Sequence, residues 1–93
     1  MSGYICVNGT ILDQDKMAEY AGKAGKVIAD HGGAIVNRSP AEVLVGQSPH
    51  KMLVVIEFPD KQAARGFFDS AEYQALVPIR EQALDAMFVL GGD

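Results

Sequence analysis

Tryptophan is missing, and cysteine occurs once, at position 6, in a chain of 93 residues. A lone cysteine forms no internal disulfide, so no cystine framework holds this fold. The place of Cys6 inside an alternating pattern suits a small buried hydrophobe better than a nucleophile. Basic residues are also scarce: 8 Lys and Arg stand against 12 Asp and Glu, for a net charge of -4. Without a basic patch to neutralise phosphates, no nucleic-acid partner is expected. Histidine appears only at positions 31 and 50, in dissimilar surroundings. No metal-ligand spacing, glycine-rich phosphate loop or nucleophile-elbow serine occurs, so no metal, nucleotide or other cofactor is expected. Long apolar runs are absent too, since stretches such as Met52 to Ile56 fall far below the ~20 residues that cross a bilayer. Met1-Ser2-Gly3-Tyr4 lacks the charged and apolar regions of a secretory signal, so the expected location is cytoplasmic and away from membranes.

What is present is a 48% hydrophobic chain. Its length fits one domain, residues 1–93, whose core is thin enough that a partner subunit is a natural reinforcement.

Hydrophobic periodicity orders the elements. Tyr4 to Ile11 alternates as a first strand, with Ile5, Val7 and Ile11 on one side and Tyr4, Cys6, Asn8 and Thr10 on the other. Asp13 can cap a helix in which Met17, Tyr20, Ala21, Ala24, Val27, Ile28 and His31 recur at helical spacing. Gly22 and Gly25 are costly inside a helix, and are expected to let its backbone approach a sheet closely. Ala34 to Arg38 reads as a second strand, Ser39-Pro40 as a turn, and Glu42 to Val45 as a short extended arm before the polar loop Gly46 to His50. Met52 to Phe58 is a third strand, closed by Pro59. Asp60 can cap a second helix carrying Ala63, Ala64, Phe67 and Phe68, and Ser70 a further segment. Pro78 opens or kinks a last helical stretch from Ile79 to Leu84, and Met87 to Leu90 is a fourth strand.

The order β-α-β-β-α-β is that of an α+β, ferredoxin-like fold, with both helices on one face of an antiparallel sheet. The third strand places Met52, Val54, Ile56 and Phe58 in one row and Leu53 and Val55 in the other, so both sheet faces are apolar. Covering roughly 500 Å² of the bare face with a second copy is worth on the order of 12 kcal/mol before association costs. A homodimer through its sheet faces is therefore expected.

Several segments resemble a known family: Tyr4-Ile5, His31-Gly32-Gly33, Glu42-Val43-Leu44, Val54 to Pro59, Ala63-Ala64-Arg65 and Asp69 to Gln74. Over Tyr4 to Gly91 the chain resembles domain of unknown function 1330. That resemblance implies a dimeric α+β barrel, a superfamily holding cofactor-independent monooxygenases, small-ring isomerases, dehalogenases, haem-degrading enzymes and ligand-sensing domains. It implies a dimer and a cavity rather than one reaction. Gln14 and Ala71 stand where the family's pattern has proline, which bears on helix starts.

Glu57 is the first candidate for chemistry, because a carboxylate beside Leu53 and Val55 must be paired, hydrogen-bonded or protonated. Arg80 is its candidate partner or the holder of an acidic ligand, and otherwise a solvated helix charge. Tyr73 offers a hydroxyl or simply packs. His31 either ends its helix before Gly32 or turns toward Glu57 or Tyr73 as an acid-base partner; the resemblance implies a recurrent histidine in this turn. Asn8 and Thr10 can orient a ligand from the barrel interior or satisfy backbone groups, whereas His50 is expected to be solvated. Three functions follow. One is a cofactor-free enzyme on a small apolar carbonyl or phenolic substrate, with Glu57 as base, His31 or Tyr73 as proton donor and Arg80 as anion holder. Another is a non-catalytic ligand-binding or stress-related dimer. The third is an interaction module whose interior is filled by Met52, Phe58 and Met87.

Overall fold

The alternation along the strands divides the structure into a covered and an uncovered half. The computed structural model describes residues 1–93. Its elements are β1 (Gly3–Ile11), α1 (Gln14–Asp30), β2 (Ala34–Pro40), β3 (Met52–Phe58), α2 (Lys61–Asp69), α3 (Ala71–Gln74), α4 (Val77–Ala83) and β4 (Leu84–Gly92). The four strands form one sheet in the order β2-β3-β1-β4, with every neighbouring pair antiparallel. This is the expected α+β, ferredoxin-like arrangement.

Three polar side chains start helices as their positions predict. The Asp13 carboxylate accepts from the Lys16 amide at 3.0 Å, Asp60 from Ala63 at 2.7 Å, and the Ser70 hydroxyl from Tyr73 at 3.1 Å. The end of α1 is equally specified. The Gly32 amide donates to the Ala29 carbonyl and the Gly33 amide to that of Ile28, while Gly32 adopts φ +76°. This paired reversal is a Schellman motif, with His31 as the last residue before the turn.

Ile5 and Val7 of β1 and Val54, Ile56 and Phe58 of β3 pack beneath the helices against Tyr20, Val27, Ile28, Phe67 and Tyr73. The opposite face carries Tyr4, Cys6, Asn8 and Thr10, Leu53, Val55 and Glu57, and Met87 and Val89. No helix of the chain covers this second face, and Met87 and Val89 are 55% and 48% exposed there.

Several local expectations are corrected. Ala41 to Lys51 contains no strand, so the arm at Glu42 to Val45 is irregular, with Leu44 and Val45 almost fully exposed. Its β-branched composition lacked a neighbouring strand to pair with. Ser39 and Pro40 belong to β2, where an edge strand tolerates a proline at its end. β4 starts at Leu84 and reaches Gly92, because pairing with β1 overrides the weak alternation at its ends. Met52 and Phe58 lie on the covered face and Met87 on the bare one, so they do not fill a common interior. Gly22 and Gly25 do not mediate close approach: a Cβ at either would meet nothing within 4 Å.

Glycine matters instead at Gly33, where a Cβ would stand 2.5 Å from the ring of the buried Phe58. Gly33→Ala is expected to lower stability by about 1–3 kcal/mol through overpacking. Gly22→Ala, in open space on a helix, is expected to raise it by up to about 1 kcal/mol. Urea unfolding at unchanged slope measures both.

Candidate functional site

The sheet itself decides which candidate residues can meet. Glu57 pairs in register with Tyr4 and Ala34 and points from the bare face, where it forms no hydrogen bond or ion pair. Tyr73 and Arg80 belong to α3 and α4, on the covered face. The expected clamp between Glu57 and Arg80 is therefore absent, because strand alternation puts a layer of backbone between them. His31 is engaged elsewhere as well. Its Nδ1 lies 3.0 Å from the Val27 carbonyl oxygen, which only accepts, so Nδ1 carries the proton and donates. The ring stands edge-on to Phe67, 6.1 Å between centroids. The histidine of the turn thus serves the helix end, and no hydrogen bond joins it to Glu57 or Tyr73.

What the covered face does assemble is a chain of polar groups from three helices. Arg80 Nη1 donates to the Tyr73 hydroxyl at 3.2 Å, and that hydroxyl lies 2.7 Å from the hydroxyl of Tyr20. Tyr73 is fully buried and Tyr20 nearly so, set edge-on to each other at 6.4 Å. The guanidinium sits over the rings of Phe88, Tyr73 and Phe68 at 5.2, 5.7 and 6.0 Å, inside cation–π range. Burial pushes the pKa of the Tyr20 hydroxyl far above the ordinary phenol range, and the adjoining Tyr73 adds to this against a smaller opposing pull from Arg80. Tyr20 is thus a fixed neutral hydroxyl and no base. The two hydroxyls share one hydrogen bond in which either can donate, and the Tyr73 oxygen accepts from Arg80 as well.

Tyr20 lines a cavity of about 50 Å³ between α1 and the sheet. Its wall is apolar, with Val7, Met17, Ile28, Val54 and Ile56, and Arg38 is its one charged residue. Ala21, Ala24 and Gly25 also line it, so small residues on α1 make the space. Sequence reasoning missed Tyr20 as a site residue. The signal was its hydroxyl on an otherwise apolar helical stripe, and nothing local revealed a partner 53 positions away.

Asn8 and Thr10 stand on the bare face as expected, but they are bound to the β2–β3 loop. Ser48 donates to the Asn8 side-chain oxygen, Asn8 Nδ2 donates to the Met52 carbonyl at 3.0 Å, and Thr10 Oγ1 lies 3.2 Å from His50 Nδ1. Since Ser48 Oγ also accepts from the His50 amide, the loop is laced to β1. His50 is half-buried in this lacing and so is not the solvated residue expected. No group of three His, Cys, Asp or Glu side chains is arranged to hold a metal ion.

A family model described as domain of unknown function (DUF1330) matches residues 2–92. No curated protein matches the chain. Among solved structures it is similar to a protein of unknown function from Rhodopseudomonas palustris, at 17% identity and TM-score 0.76, over 99% of this chain and 82% of that one. It is also similar to SnoaB, a cofactor-independent oxygenase from Streptomyces nogalater, at 11% identity and TM-score 0.67, over 99% and 92% of the two chains. A dimeric ferredoxin-like protein of unknown function from Thermobifida fusca matches at 15% identity and TM-score 0.60, over 100% and 92%. Identities this low establish the shared fold alone.

The raised Tyr20 pKa fixes the sign of an alkaline effect. The folded state keeps a proton that the unfolded chain releases above pH about 10, so this contribution is complete below that pH and is lost as pH rises beyond it. Tyr20→Phe is expected to flatten that decline and to cost about 0.5–1.5 kcal/mol at neutral pH. Denaturant titrations across the alkaline range check both.

Proposed function

We infer, because the chain belongs to the DUF1330 family and its polar chain ends at an apolar cavity, that this protein is a homodimeric binder of a small, mostly apolar molecule carrying a carbonyl or phenolic oxygen. The observation that carries the reading is the line of hydrogen bonds Arg80–Tyr73–Tyr20, whose last member lines a largely apolar cavity with Arg38 as its one charged residue. The Tyr20 hydroxyl is partnered by Tyr73, and its remaining hydrogen-bonding capacity can serve an oxygen-bearing ligand. The cavity's 50 Å³ is room for about four water molecules, so a ring-sized ligand requires α1 to shift outward. Flexible Met17 in the wall and Gly25 with open space around it favour that shift.

Dimerisation through the bare face accounts for Cys6, Leu53, Val55, Met87 and Val89, which have no other cover from the chain. Relatives of the same fold described as dimeric are consistent with it. Acid-base catalysis is the second reading, suggested by the likeness to a cofactor-independent oxygenase. Against it, Glu57 lies beyond the sheet and burial makes Tyr20 a weaker acid than a free phenol. Binding is therefore the reading we adopt.

Phenol is the simplest probe. It is expected to raise the melting temperature and to bind Tyr20→Phe about tenfold more weakly, the loss of one well-placed hydrogen bond. Equal phenol affinity in folded Tyr20→Phe, read by calorimetry, overturns the cavity assignment. Val55→Asp with Val89→Asp places two charges in the bare face and is expected to give a monomer by analytical ultracentrifugation, with Cys6 turning rapidly reactive toward maleimide.

A further inference from the structure

Arg80 has a second edge that the chain of hydroxyls leaves unused. A guanidinium carries five N–H donors, and only Nη1 is engaged, toward Tyr73. The sole salt bridge of the chain joins Lys23 to Glu19, so no carboxylate neutralises Arg80 although it is half-buried. No side-chain nitrogen of the protein is both buried and unpartnered. The free Nε and Nη2 of Arg80 are therefore within reach of solvent, along the edge of the guanidinium that receives a planar two-oxygen acceptor side-on. Three aromatic rings hold the group at a fixed height and orientation. Beside it runs a groove of about 430 Å³ between α4 and β4, distinct from the cavity at Tyr20 and walled by Leu12, Leu84, Ala86 and Phe88.

We propose that this groove is a carboxylate site, in which Arg80 grips an aromatic or otherwise apolar monocarboxylate through Nε and Nη2 while the ligand's body lies against Phe88. Charge selects the class. Glu81 and Asp85 are exposed at the rim of the same groove, and their charges repel a phosphate dianion about twice as strongly as a singly charged acid. Their repulsion is screened by water, whereas Arg80 acts from a drier position against aromatic rings. The apolar wall further requires a hydrocarbon body, so small hydrated anions such as acetate are poor ligands. A second, largely apolar groove of about 230 Å³ adjoins the first across Phe88, with Phe68, Val89 and Leu90 in its wall and Arg65 as its one charged residue, and gives a longer body room to extend.

The test uses benzoate and its neutral isostere benzamide on the full chain, with the Arg80 Nε–H resonance observed by ¹⁵N NMR. Benzoate is expected to shift that resonance saturably and to bind at least about tenfold more tightly than benzamide. Arg80→Lys, which keeps the charge and loses the two-pronged edge, is expected to weaken benzoate at least about tenfold. Equal affinity for the two probes, or unchanged benzoate binding in folded Arg80→Lys, overturns the proposal. Glu81→Gln with Asp85→Asn leaves Arg80 and the core intact, so it stands even if the Arg80 variant fails to fold. It is expected to tighten benzoate and leave benzamide unchanged, and no tightening counts against the site. Tyr20→Phe separates this site from the phenol cavity. Retained benzoate binding supports two sites, whereas joint loss places the anion at Tyr20 and overturns the groove.

Discussion

A strand commits each side chain to one of two faces, and this chain supplies helices for only one of them. That partition determines the rest of the molecule. It buries Ile5, Val7, Val54, Ile56 and Phe58 beneath α1 and α2, and it leaves Cys6, Leu53, Val55, Met87 and Val89 uncovered. It also fixes which polar groups share an environment. Glu57 is barred from Arg80 by sheet backbone, while Tyr20 comes within hydrogen-bonding distance of Tyr73, 53 positions away and itself bonded to Arg80, because three helices lie on the same side.

The fold was legible because its signals are local. Alternation marked the strands, Asp13, Asp60 and Ser70 marked helix starts, and His31-Gly32-Gly33 marked a helix end. The face of Glu57 could also be read, from its parity with Leu53 and Val55. What could not be read was the side of the sheet on which α3 and α4 deliver their polar tips. Helical periodicity gives an apolar stripe but not the rotation that sets Arg80 over Phe88 or turns Tyr73 toward Tyr20. Those placements depend on crossing angles set by packing among Phe67, Phe68 and Phe88. The β2–β3 loop failed for a related reason. Val43, Leu44 and Val45 have strand chemistry, but the segment has no neighbour to pair with and is anchored by side chains instead.

Arg80 and the two tyrosines also show how a thin domain accommodates polar groups beside its core. A half-buried cation at the core's edge is tolerated when aromatic faces replace part of its water and a hydroxyl accepts from it. Both conditions are met here by residues that simultaneously form the core. The same packing that stabilises the fold therefore sets the orientation of the guanidinium and the two hydroxyls. Changes in ring size at Phe68 or Phe88 act on that orientation as well as on stability.

The junction between α4 and β4 contains no spare residue: the helix ends at Ala83 and the strand begins at Leu84. The Ala83 carbonyl also receives the amides of Leu12 and Asp13, which ties this joint to the exit of β1. Arg80 and Phe88 are thus geared together, one on each side of a seam without slack. Inserting a single residue there would rotate everything upstream by about 100° or reverse the parity of everything downstream. Descendants of this chain are therefore free to lengthen the exposed stretch from Leu44 to Gly46, outside the anchors at Ser48 and His50, whereas the seam must be inherited at constant length.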